Sequence, residues 1–119
     1  MSIVSRRITV PIDVVFIEPS FPRNQREFVR ALHAVGARVT GIGERPKDYL
    51  DDEMRHWLSH YVQVGNVTSV AQVEQAVRQL QTKVRVDRLE ATIEAHVMCA
   101  AKVREAGGIP GTSVETTFL

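Results

Sequence analysis

Four polar side chains stand where short apolar runs give way to loops: Glu18, Ser20, Glu44 and Glu94. A carboxylate in such a place can orient a substrate amine or hydroxyl, or satisfy the free N–H groups of a helix start. Glu18 and Ser20 belong to Glu18-Pro19-Ser20-Phe21-Pro22, Glu44 follows Gly41-Ile42-Gly43, and Glu94 follows Leu89-Glu90-Ala91-Thr92-Ile93. All four are candidates to line one substrate-side crevice. Acids and one hydroxyl make a polar rim without a nucleophile–base pair, so no catalytic residue is assigned. Glu94 keeps two readings, helix cap or crevice carboxylate.

The histidines and the cysteine offer less. His56 and His60 are four residues apart, a spacing that sets both on one face of a helix, as in some metal sites. No HExxH glutamate and no third ligand accompany them, so a solvated pair beside Trp57 is expected and no metal is assigned. His33 reads as a boundary residue and His96 as a helix-surface residue near a strand–helix junction. Cys99, the single cysteine, sits among Val97, Met98, Ala100 and Ala101 and reads as a small buried thiol. No flanking pattern activates it.

Other chemistries are excluded by what is missing. A dinucleotide fingerprint needs glycines in the loop after the first strand, where this chain has two prolines and no glycine. Gly41-Ile42-Gly43-Glu44 is short of that fingerprint and follows the second strand, and no GxxxxGK[ST] phosphate loop exists. A net charge of +1 with no lysine–arginine run argues against nucleic acid. No apolar run approaches the roughly 20 residues of a membrane span. With one cysteine and no signal-peptide pattern, the expected location is cytoplasmic.

The elements that must position these residues follow from periodicity. Asp13-Val14-Val15-Phe16-Ile17 is a continuous β-branched run of the kind buried on both faces in parallel sheets. Asn24 is a candidate N-cap for a helix over 25–35, with Phe28, Leu32 and Val35 inward, Arg26, Arg30 and Arg38 directed elsewhere, and Gly36 as the stop. A second strand covers 38–42. A helix over 51–61 points Met54, Trp57 and Leu58 inward, and a brief strand covers 61–64. Ser69 caps a helix striped by Val70, Val73, Val77 and Leu80, with Gln72 in capping-box position. A fourth strand over 89–93 and a helix over 94–106 complete the series, the helix packing through Val97, Met98, Ala101 and Val103. Four strand–helix units imply an α/β fold, a mainly parallel sheet with helices on both faces. Its ligands would gather at the carboxyl ends of the strands.

The close of the series carries a resemblance. Leu89-Glu90-Ala91-Thr92-Ile93-Glu94, a helix ending Ala100-Ala101-Lys102-Val103-Arg104-Glu105, and then Gly108-Ile109-Pro110-Gly111-Thr112-Ser113 resemble the end of the N-terminal, or pre-ATP-grasp, domain of ATP-grasp enzymes. The likeness is greatest to the branch of biotin carboxylase, carbamoyl-phosphate synthase and carboxylate–amine ligases. It implies a Rossmann-like three-layer domain of strand order 3-2-1-4 over 13–111, with 1–12 an arm or edge strand and 112–119 the start of a linker to an absent ATP-grasp domain. It also implies that Gly111, Thr112 and Ser113 mark the exit and that Glu94 faces the substrate. ATP and magnesium would be bound by the downstream domains of the full-length ligase, which would form an acyl phosphate for attack by an amine or other nucleophile. This chain would hold no cofactor and would be inactive alone. The loop at Glu18 to Ser20 departs from the glycine-containing first loop of several branches.

The leading reading is therefore the substrate-side domain of an ATP-grasp ligase, its partners being the downstream domains of the same polypeptide. The rival is a stand-alone Rossmann-like binding or regulatory module. A domain separated from its neighbours exposes the apolar face that packs on them, which implies a homodimer.

Overall fold

The computed structural model describes residues 12–110. Most of the expected arm over 1–12, and the exit residues Gly111, Thr112 and Ser113, lie outside the described residues. The apolar run forms β1 (Asp13–Ile17), and Val14, Val15, Phe16 and Ile17 are all buried. Neighbouring side chains of a strand point to opposite faces. Val14 and Phe16 accordingly enter one core cluster, and Val15 and Ile17 another.

β1 lies between β2 (Arg38–Gly43) and β4 (Arg88–Glu90), with β3 (Leu58–Gln63) outside β2. Every pairing is parallel and the order is β3-β2-β1-β4. On the face of Val14 and Phe16 lie α1 (Gln25–Ala34) and α2 (Asp52–Trp57), contributing Val29 and Met54. The face of Val15 and Ile17 is covered by α3 (Val70–Gln81) and α4 (Glu94–Gly107) through Val73, Val77, Leu80, Ala100 and Val103. Handedness accounts for this division. A right-handed crossover places its helix on one face when the chain steps one way along the sheet and on the other when it steps back. The chain steps from β1 out to β3 and then returns past β1 to β4. The result is a Rossmann-like α/β fold.

Polar ties fix the amino ends of the strands. Arg38 donates twice to Asp13, Nε to Oδ1 at 2.8 Å and Nη2 to Oδ2 at 2.7 Å, across a pair of facing residues. Asp13 N–H in turn donates to Asp87 Oδ2 at 2.8 Å. On the other core, the buried Arg104 donates Nε–H to the Leu89 carbonyl at 2.7 Å, joining α4 to β4.

Local details differ from expectation in instructive ways. Asn24 makes no side-chain cap; its backbone is already helical, and the first helical N–H groups are met by the carbonyls of Pro22, Arg23 and Asn24. Phe28 and Val35 are exposed, and α1 packs instead through Gln25 and Val29. Arg26 is not directed away from neighbours but lies over the Trp57 ring. The expected helix over 51–61 ends at Trp57, because 58–63 extends to pair with β2 and complete the sheet edge. Pairing with the sheet overrides local helical periodicity here. The fourth strand stops at Glu90, short of Ile93. In α4 the buried positions are Cys99, Ala100, Ala101, Val103 and Arg104, while Val97 and Met98 are half-buried. Ser69 caps α3 as expected, but the Gln72 side chain turns to accept from Asn66 N–H rather than closing a capping box.

Gly41 and Gly43 have a packing reason rather than a phosphate-binding one. A Cβ on Gly41 would stand 2.8 Å from Pro19 Cγ and 3.2 Å from Tyr61 Cδ1, and one on Gly43 would stand 2.6 Å from the Tyr61 hydroxyl. We expect Gly41→Ala to destabilise the fold by about 1–3 kcal/mol through overpacking, read from the urea midpoint.

Candidate functional site

In an open parallel sheet the ligand crevice forms at the carboxyl ends of the strands, where the chain reverses direction across the sheet. Here that point lies between β1 and β4, under the loop 18–24 and the segment 91–93.

Glu18 opens the first loop with φ 58°, a left-handed backbone uncommon outside glycine. Four hydrogen bonds hold it there. Its N–H donates to the Ile42 carbonyl at 2.7 Å, and its carbonyl accepts from Gln25 Nε2 at 3.1 Å. Its Oε2 accepts from the N–H groups of Ser20 and Phe21 at 3.2 and 3.1 Å. The Glu18 carboxylate thus shapes its own loop.

Gln25 is the main residue that sequence reasoning missed. It is only 2% exposed, and while Nε2 reaches Glu18, Oε1 accepts from the Thr92 hydroxyl at 2.5 Å. One buried amide therefore latches the loop after β1 to the segment after β4. A signal existed: Gln25 is in phase with Val29 and Leu32, a polar residue on the packing stripe. Thr92 carried none.

Glu44 belongs to the other side of the edge. Its Oε2 accepts from Val67 N–H at 3.0 Å and its carbonyl from Gln63 Nε2 at 3.3 Å, so it braces the ends of β2 and β3. Glu94 is the first residue of α4, and the N-cap position falls to Ile93. Glu18 is joined to β2 through its N–H and, through Gln25, to the segment after β4, while Ser20 faces the segment 45–54 and Glu44 braces β2 and β3.

Tyr61 sits beneath this edge, donating its hydroxyl to the Arg45 carbonyl at 2.7 Å. Burial, with the nearby Glu18 charge, pushes its phenol from the ordinary 10.0 up to about 12. The pair His56 and His60 is divided between α2 and β3; His56 instead meets His33, ring edge to face, at 5.0 Å. His96 is half-buried, with an Nδ1 that has no hydrogen-bond partner among the described residues. Cys99 is buried, and that burial pushes its thiol up, away from the nucleophilic thiolate.

Between the first loop and the segment 45–54 the edge opens into a cavity of about 250 Å³, whose lining includes Ser20, Phe21, Arg23, Arg26, Arg45 and Tyr49. Larger hollows lie elsewhere, about 430 Å³ beside His60 and Lys83 and about 360 Å³ at the amino end of β4. Neither adjoins the crevice. Among the described residues no three His, Cys, Asp or Glu side chains converge to hold a metal ion, and no helix is long and apolar enough to cross a membrane. The loop after β1, closed by Pro19 and by the Glu18 carboxylate, offers no glycine cradle for phosphates. No step is assigned through ATP or magnesium.

The class defined by these features is an α/β Rossmann-like domain with a braced crevice at its strand reversal. No protein-family model and no curated protein matches the sequence. Among solved structures the fold is similar to that of an L-amino acid ligase from Bacillus licheniformis, with a TM-score of 0.69, 17% identity and 90% of this chain covered. The chain spans 26% of the length of that ligase, and at this identity the likeness is one of fold.

Two measurements check the site. Gln25→Ala leaves the Glu18 carbonyl and Thr92 hydroxyl without their partner; we expect a loss of about 1–3 kcal/mol in urea unfolding, with faster amide exchange at Ser20 and Phe21. In a Tyr49→Phe background Tyr61 is the only tyrosine, and its phenolate absorbance should emerge near pH 12. Because the folded value lies above the unfolded one, this burial supports folding fully below pH 10 and the support declines as pH rises towards 12.

Proposed function

We propose that this chain is the N-terminal, substrate-side domain of an ATP-grasp ligase. The observation that carries the reading is the strand order 3-2-1-4 with its crevice at the reversal point, in a fold shared with an L-amino acid ligase over 90% of the chain. The closing sequence Gly108-Ile109-Pro110-Gly111-Thr112-Ser113 supports it independently. Of the branches considered, carboxylate–amine ligation is preferred to biotin carboxylation, because the fold neighbour is an amino acid ligase.

In this reading the chain supplies one wall of the active site. Gln25 and Thr92 hold the wall's two loops in register, and Ser20 and Glu94 belong to the rim that meets the substrate. Downstream domains of the same polypeptide would bind ATP and magnesium and carry the chemistry.

The full-length gene product should release ADP only when a carboxylate and an amine are both supplied from a substrate panel. The 119-residue chain by itself should give no heat of binding with Mg-ATP in calorimetry. Micromolar Mg-ATP binding by the 119-residue chain, or a stop codon directly after Leu119, would favour the stand-alone module instead.

A further inference from the structure

The cavity of about 250 Å³ at the carboxyl edge is lined by more guanidinium groups than carboxylates. Three guanidinium groups line it, from Arg23, Arg26 and Arg45, against Asp51. Arg26 is already committed: it bonds to Asp51 and to Glu53, the latter at 3.0 Å, and lies 5.3 Å from the centre of the Trp57 ring. Asp51 is committed as well, with Oδ1 accepting from Met54 N–H at 2.8 Å and Oδ2 from Arg26. That leaves Arg23 and Arg45. Neither guanidinium donates a hydrogen bond among the described residues; Arg23 lies close enough to Asp51 to help hold its carboxyl below the usual range, and both side chains are exposed at the cavity.

The surroundings orient these two groups. Arg45 lies 5.9 Å from the centre of the Phe21 ring, a cation–π contact that restrains its planar fork without using its N–H donors. Phe21 and Tyr49, 60% and 72% exposed, bring two aromatic rings to the same lining. Ser20 adds a hydroxyl to the same lining. Guanidinium forks match the paired oxygens of carboxylates and phosphates. Size limits the rest of the ligand. Pockets for drug-sized molecules run from about 300 Å³ upwards, so this cavity is too small to enclose a nucleotide and suits a small organic acid.

We propose that Arg23 and Arg45, with Ser20 and the rings of Phe21 and Tyr49, form a binding site for a small oxyanion-bearing organic molecule. The shared chemistry is a carboxylate or phosphate held by the two guanidiniums, its carbon part resting on the aromatic walls. Ser20 is common to this site and to the rim proposed above, but the site stands on the cavity and its arginines and does not depend on a ligase domain following.

The test titrates the full 119-residue chain, labelled with nitrogen-15, with benzoate and with phenyl phosphate. At least one probe should shift the amide resonances of Ser20, Phe21, Arg23, Arg45 and Tyr49 together, and added salt should weaken the effect. Tighter binding of phenyl phosphate assigns the natural ligand to phosphate monoesters, and tighter benzoate binding to carboxylic acids. Arg23→Ala and Arg45→Ala should each weaken binding about tenfold, and Arg45→Lys should recover only part of the loss because it lacks the fork. Arg30→Ala, which removes an exposed arginine paired with Glu27, should bind as the unmodified chain does. The proposal is overturned if neither probe shifts this group of resonances. It is equally overturned if the two alanine variants, shown folded by circular dichroism, bind both probes unchanged.

Discussion

Burial of β1 on both faces is the constraint from which the rest follows. Val14 and Phe16 require cover on one side of the sheet, Val15 and Ile17 on the other. A strand in that position needs a neighbour on each edge and helices above and below. The chain meets this by placing β2 and β3 on one side and returning to place β4 on the other. The same return separates the loops after β1 and β4 and so creates the crevice. Core packing and candidate site share one cause.

The carboxyl edge is braced by side chains that a reading of loops alone treats as free. Glu18 supports its own left-handed turn, Glu44 links the ends of β2 and β3, and Gln25 joins the loops across the crevice. Asp51 caps α2 and receives Arg26 from α1. Such bonds are individually modest, but a buried amide such as Gln25 is costly to leave unsatisfied. The edge therefore has a defined shape before any ligand arrives, which reduces the ordering cost of binding. Its guanidinium donors without hydrogen bonds among the described residues gather in one place, at Arg23 and Arg45.

Legibility from sequence followed the range of the interaction. The β1 run, the Ser69 cap and the Gly36 stop are recorded in neighbouring residues, and each formed where local pattern placed it. The end of α2 did not, because helical spacing through Trp57 and Leu58 competes with a sheet edge that only β2 supplies. Phe28 is the converse case. It reads as a core residue by spacing, yet it is 46% exposed and touches the core through its ring contact with Phe16 at 6.0 Å. The pair His56 and His60 lost its common face for the same reason that α2 ended early.

By itself the sequence determined the class of fold, since alternating strand and helix periods with short connections leave few arrangements open. It also determined that the first loop carries no glycine cradle, because residue identity alone decides that. Tertiary structure decided the rest. Gln25 and Thr92 are 67 residues apart, Arg26 and Asp51 are 25 apart, and Glu44 and Val67 are 23 apart. No local pattern encodes such pairs; they exist only once strands β1 to β4 lie side by side. Which acids are engaged, and which arginines are left to meet a ligand, is a property of that assembly.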